Sequence, residues 1–198
     1  AFEAGDFDTA MTNWPGHYGD QRRALKAYRK NGNPRRAIAA IDNRMRRLYV
    51  SAFQSEMFNA VLSARLGSFD TVLAGDWAQK HDTGGVFLVE DVAAEAARAA
   101  RFEISATGPM VGYSGRLSEG APGEIEQGVL EAFAITPEQF RIQGPLKVKG
   151  ARRSLRFAAE GLAASAGEDE HGHYLEVRFA APSGSYATVL TDEIMKGT

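Results

Sequence analysis

Gly184, Ser185 and Tyr186 stand where a strand pattern gives way to a helix pattern, and together they have the chemistry to hold a nucleotide. Leu175, Val177 and Phe179 alternate with Glu176 and Arg178, the period of a half-buried strand. Ala187, Leu190 and Ile194 then recur at helical spacing. The first N–H groups of a helix have no partner within it and carry its positive dipole end, so Gly184 and Ser185 offer an anion site beside the Tyr186 ring. A phosphate with a stacked base fits both features. The competing assignment packs Tyr186 into the core and makes Ser183 or Ser185 a plain helix cap.

A second candidate is the basic run from Leu146 to Phe157, LKVKGARRSLRF. Its pattern places strands on either side of a Gly150-Ala151-Arg152-Arg153 turn. Such a turn presents two guanidinium groups at one edge, where with Lys149 they can clamp phosphates. Arginines solvated at a strand end carry the same signature without a ligand. Other constellations are weaker. Glu168 to His173 reads as a hydrophilic hairpin loop, because its two histidines lack a third or fourth ligand at metal-site spacing. His17 and His81 are isolated. Asp192 and Glu193 would suit an acid-based hydrolase, but adjacent residues point to different faces of a helix. The sequence holds no phosphate-binding P-loop, no glycine fingerprint after a strand and no G-x-S-x-G elbow.

Composition sets outer limits. With 198 residues, 44% of them hydrophobic and 24% charged, the chain has enough apolar material for one sizeable core or two small ones. The absence of cysteine excludes disulfides and thiolate chemistry. No apolar run approaches a membrane span, and the first residues lack the basic and apolar segments of a signal peptide, so a cytoplasmic protein without membrane contact is expected. The chain starts with Ala1, inside what reads as a helix, and is expected to be part of a longer protein. Its net charge of −2 is unevenly distributed. Residues 1–66 hold eleven Lys and Arg against six Asp and Glu, whereas residues 67–143 hold five against twelve. The local field matters to a phosphate backbone, so the first third, with its paired Arg22-Arg23, Arg35-Arg36 and Arg46-Arg47, is a candidate RNA-facing surface.

The elements that must position these groups are helical first and mixed later. Helices are expected over residues 2–14, 21–30, 34–41 and 44–66. In the last of these Tyr49, Phe53, Met57 and Val61 form an apolar stripe, with Ser51, Ser55, Asn59 and Ser63 as a polar one and Gln54 beside it. Asp82-Thr83-Gly84-Gly85 can close a hairpin between residues 76–79 and 86–89. Residues 92–100 read as helix, and residues 101–106 as a strand broken by Thr107-Gly108-Pro109. A helix after Gly123 carries Ile125, Val129, Leu130 and Phe133. Thr136-Pro137-Glu138-Gln139 has the cap, proline and glutamine of a capping box.

Four stretches give these patterns a context: RRLYVSAFQSEMFN (46–59), FEISATGPMVGY (102–113), KGARRSLRF (149–157) and GSYATVLTDEIMK (184–196). In this order they resemble the TruD family of tRNA pseudouridine synthases, with support from GDWAQKH, VFLVED and APGEIEQGVL between them. The resemblance implies an α+β chain: a helical N-terminal third and a mixed insertion domain over 1–145, then strands and a helix over 146–198 that belong to a pseudouridine synthase core. It implies tRNA as partner, and neither a metal nor an organic cofactor. It places Tyr186 beside a flipped uridine, with Gly184 and Ser185 at the same site and Lys149, Arg152 and Arg153 on the RNA backbone. The family's Gly-Leu-Lys-Asp motif, which supplies the catalytic aspartate, and its Pro-Asn-Tyr-Phe-Gly motif are not in this sequence. No catalytic residue is therefore expected here. A non-catalytic RNA-binding module built on the same insertion domain is the alternative.

Overall fold

Carboxylates and one amide decide where four of the helices begin. Asp6 accepts from the Thr9 N–H at 3.1 Å, Asp42 from Arg44 at 2.8 Å, Asp91 from Ala93 at 2.9 Å and Asn33 from Arg35 at 2.9 Å. In the computed structural model, which describes residues 1–142, 146–182 and 184–196, the helices are α1 (Phe7–Asn13), α2 (Gly19–Asn31), α3 (Pro34–Ala39), α4 (Asn43–Ala64), α5 (Val92–Ala100), α6 (Gly120–Ala132) and α7 (Ala187–Ile194). The strands are β1 (Trp77–Lys80), β2 (Val86–Leu88), β3 (Ile104–Met110), β4 (Ala151–Ser154), β5 (Glu160–Asp169) and β6 (Gly172–Ala180). A short 3-10 helix covers Pro137–Phe140, entered as expected with the Gln139 side chain accepting from the Thr136 N–H at 2.7 Å. The class is α+β, with a helical first third.

Several expected boundaries move: α6 starts at Gly120 rather than after Gly123, and β3 at Ile104 rather than at residue 101. The first helix starts at Phe7 rather than at residue 2, because Gly5 adopts φ +75° and Asp6 then caps the chain. Strand β3 does not break at Thr107-Gly108-Pro109 but continues to Met110 with all seven residues buried. Its register explains the tolerance: β1 pairs with Ile104, Ser105 and Ala106 only, so the missing N–H of Pro109 lies beyond that ladder. The hairpin of β1 and β2 forms as expected, with Trp77 opposite Leu88 and Ala78 opposite Phe87. The sheet order is β2-β1-β3-β4, and β5 with β6 makes a separate two-stranded sheet.

The chain divides into two units, Ala1–Gly67 with Gly108–Arg153, and Ser68–Thr107 with the chain from Ser154 on. In the first, Met57, Val111, Leu130 and Phe140 form the core, so α4 and α6 meet through the side of α4 that Met57 and Val61 bury. The same stripe's first two members, Tyr49 and Phe53, stay partly exposed; Phe53 lies edge-on to Phe133, ring centroids 5.8 Å apart. In the second unit Val72, Ala78, Val89, Ala99, Ile104 and Ala106 are buried around the sheet. The hairpin β5-β6 turns at Glu170-His171 as expected, but Leu175 is 61% exposed rather than half-buried. Alternation fixes which face a side chain takes; burial needs a second layer, and this sheet has two strands only. The expected domain boundary at Pro145 falls outside the described residues. Among the described residues no helix is long and apolar enough to cross a membrane.

Candidate functional site

Arg152 and Arg153 lie in strand β4, not in a turn, and successive residues of a strand face opposite ways. The pair therefore does not form one clamp. Arg152 turns inward and makes a two-pronged ion pair with Glu126, Nη2 to Oε1 at 2.7 Å and Nη1 to Oε2 at 3.0 Å. Its side chain is 9% exposed and that of Glu126 2%. Ser118 completes the network, donating its N–H to Glu126 at 2.8 Å and its hydroxyl at 2.7 Å. Its guanidinium is matched to a buried carboxylate, which gives Arg152 a structural role. Arg153 has its guanidinium carbon 5.3 Å from the Phe58 ring centroid. Glu126 carried no functional expectation, although its position was readable: Pro122, Glu126 and Leu130 are spaced by four, and all three are buried on α6.

Lys149 is exposed and lines a cleft of about 510 Å³ with Arg47, Gln54, Met110, Lys147, Val148, Gly150 and Ala151. Close approach of two backbones builds its wall. Tyr113 donates its N–H to Val148 at 3.0 Å and Ser114 to Lys149 at 3.1 Å, which brings Gly112 against Gly150, whose φ is +92°. Gln54, of the helix expected to carry a polar stripe, is 7% exposed and donates from Nε2 to the Val111 carbonyl at 2.6 Å. Of the paired arginines in the first third, Arg22 donates to the Met11 and Trp14 carbonyls at 2.7 Å, Arg23 bonds Asp20 and Arg46 bonds Asn43. Arg35 and Arg36 are exposed at the start of α3.

Tyr186 stands at the N-cap of α7 and is 59% exposed, so it is not a core residue. Among the described residues no side-chain bond caps this helix. Gly184 takes φ +90° in the turn, and the Ser185 N–H donates to the Pro182 carbonyl at 3.0 Å. Ser183 lies outside the described residues. These three positions belong to the second unit, and Lys149, Arg152 and Arg153 to the first.

The second unit also holds a polar cluster without any sequence signal of its own. Arg156 donates from Nε to the Ser105 hydroxyl at 2.9 Å and from Nη2 to the Ala99 carbonyl at 2.6 Å. Ser105 Oγ lies 2.8 Å from His81 Nε2, and His81 stacks on Phe102 at 4.5 Å. With Oγ accepting from Arg156, its hydrogen is directed to a neutral His81 ring. Burial, and secondarily the charge of Arg156, holds His81 below its ordinary pKa of 6.5. The unfolded chain therefore binds more protons than the folded one as pH falls from 6.5 through the folded value. Stability is present above 6.5 and is lost across that window, by less than about 1 kcal/mol for so exposed a ring. Urea midpoints at pH 7.5 and 5.0 should show a smaller pH difference in His81→Gln than in the parent protein.

Among the described residues no group of three or more His, Asp or Glu is placed to hold a metal ion. The family model described as tRNA pseudouridine synthase D (TruD) matches residues 1–194. A relative from Geobacter sulfurreducens named tRNA pseudouridine synthase D is 42% identical over 197 residues, 99% of this chain and 47% of its own length. One from Thermus thermophilus with the same name is 39% identical over 192 residues, 92% of this chain and 50% of its own. A crystal structure from Methanosarcina mazei, assigned to the same group, superposes with a TM-score of 0.79 at 26% identity, covering 97% of this chain and 48% of that one. The chain spans about half the length of the curated relatives it matches. Continuous agreement from the first residue to the α7 helix, in sequence and in fold, makes this chain a member of the TruD family.

Proposed function

We propose that this chain supplies the RNA-binding and C-terminal part of a tRNA pseudouridine synthase. The observation that carries the reading is the family match over residues 1–194, with relatives of that name about 40% identical along the chain. The reaction is an isomerisation: the bond between ribose C1′ and uracil N1 breaks, the base turns, and C1′ joins C5. N1 gains a proton and C5 loses one, so no co-reactant is consumed. The Gly-Leu-Lys-Asp motif that carries the family's catalytic aspartate is not in these 198 residues, and no residue here is assigned a catalytic role. Residues 1–145 are the helical connector and insertion domain, and 146–198 the returning part of the catalytic domain. A cytoplasmic location is part of the same proposal.

Tyr186 holds the flipped uridine by stacking, and the exposure of its ring on a helix start supports that role. Gly184 and Ser185 lie against the adjoining phosphate, while Lys149 and Arg153 take the RNA backbone. Tyr186→Ala in the full reading frame is expected to lower kcat/KM about tenfold to a hundredfold, the cost of a lost stacking platform. Its unfolding midpoint should stay unchanged. Normal turnover in that variant sinks the site assignment.

The reading itself is tested by tritium release from tRNA labelled at uridine C5, comparing this chain with its full reading frame. Release by the longer protein alone supports it and puts the nucleophile outside these residues. Release by neither replaces it with a non-catalytic RNA-binding module.

A further inference from the structure

The cleft of the first unit is charged in one sense only. Of its eight described lining residues Arg47, Lys147 and Lys149 are cationic and none is acidic. The acidic stretch 67–143 contributes only Met110 to this lining. Lys147 and Lys149 both line it from the segment that precedes β4. Arg47 and Gln54 are seven apart on α4, two helical turns along one face. A concave site with walls of low polarity concentrates the field of such charges. Met110 and Val148 supply apolar wall, and Lys147 Nζ stands 4.9 Å from the Tyr113 ring centroid.

Gln54 adds a second, independent observation. Its bond to the Val111 carbonyl holds the side chain and uses one of its two N–H groups. The residue is 7% exposed and lines the cleft, so the anchored amide is held at its wall. An anchored amide beside cations is a means of reading a polar edge. We propose that this cleft binds one nucleotide unit of the RNA: its phosphate between Lys147 and Lys149, its base against Met110 and Val148, and a base edge on the Gln54 amide. A volume of about 510 Å³ admits a nucleotide. The inference rests on the proposed work on RNA, and it adds a contact separate from Tyr186.

The test uses the full reading frame with an unmodified tRNA transcript, following affinity by fluorescence anisotropy across a range of KCl concentrations and tritium release in parallel. Lys147→Ala/Lys149→Ala is expected to weaken binding roughly tenfold or more at moderate salt and to reduce the slope of log K against log salt by about 1.5. The loss should fall on KM more than on kcat. Lys147→Arg/Lys149→Arg should restore most of the affinity. Gln54→Ala should weaken binding with the slope unchanged, and Gln54→Met, which fills the same space, should do the same if the parent fold is kept. Lys80→Ala/Arg101→Ala removes equal charge outside the cleft and should change neither affinity nor slope by as much. If the Lys147 and Lys149 pair leaves affinity and slope at parental values while the parent releases tritium, the cleft is overturned and the proposed function stands. A parent that releases none, but loses RNA affinity with the same pair, removes the enzyme reading and retains the cleft.

Discussion

Glu126→Ala is expected to destabilise the first unit by about 3–5 kcal/mol, the cost of leaving a buried guanidinium without its carboxylate. The geometry supports the upper part of that range. Both prongs of the Arg152 fork meet Glu126 oxygens, and the same two oxygens accept from the Ser118 N–H and hydroxyl, so four bonds are lost together. Arg152→Ala should cost a similar amount because it strands Glu126 on α6. Replacing both partners, as in Glu126→Leu/Arg152→Met, should be less damaging than either single change, since no charge is then left in a dry site. Urea unfolding of the parent, Glu126→Leu, Arg152→Met and the Glu126→Leu/Arg152→Met protein gives the double-mutant cycle. A loss below about 1 kcal/mol in both single variants would show that water reaches the pair and that it behaves as a surface salt bridge.

Gly112→Ala is expected to cost at least about 3 kcal/mol, at or beyond the upper end of ordinary overpacking. A Cβ at Gly112 would sit 2.2 Å from the Gly150 nitrogen and 2.5 Å from its Cα. These are backbone atoms, which cannot swing aside as the end of a side chain does. Relief requires the segment after β3 and the segment before β4 to separate, which strains the bonds from Tyr113 to Val148 and from Ser114 to Lys149. The cleft carrying Lys147 and Lys149 should widen with them, so RNA affinity is expected to fall along with the midpoint. Gly128→Ala is the control on α6: nothing lies within 4 Å of the added carbon, and a helix-interior glycine gains about 0.5–1 kcal/mol on becoming alanine. Equal midpoints for the two alanine variants would refute the close-approach argument.

Short-range physics made the elements readable from the chain alone. The hairpin through Asp82 to Gly85, the Val92–Ala100 helix behind Asp91 and the capping box at Thr136 each depend on partners within a few residues. The ordered motifs carried the family as well, because agreement in type, spacing and order needs no coordinates. Charge segregation pointed to the first third as basic, but it did not separate Arg22, bound to the end of α1, from the exposed Arg35 and Arg36.

Only tertiary structure decided what the basic groups do. Arg152 and Arg153 are neighbours in sequence, yet strand geometry turns one towards Glu126, 26 residues away, and the other towards Phe58. Gln54 finds its acceptor 57 residues away at Val111, and Gly112 meets Gly150 across nearly forty positions. Periodicity states which residues share a face, whereas the partner opposite that face is set by how distant segments pack. The sequence therefore determined the elements, the family and the place of an aromatic at the start of α7, while the fold decided that this ring is exposed. The fold determined which cations are neutralised inside the protein and which stay exposed, because that choice depends on contacts between residues far apart in the chain.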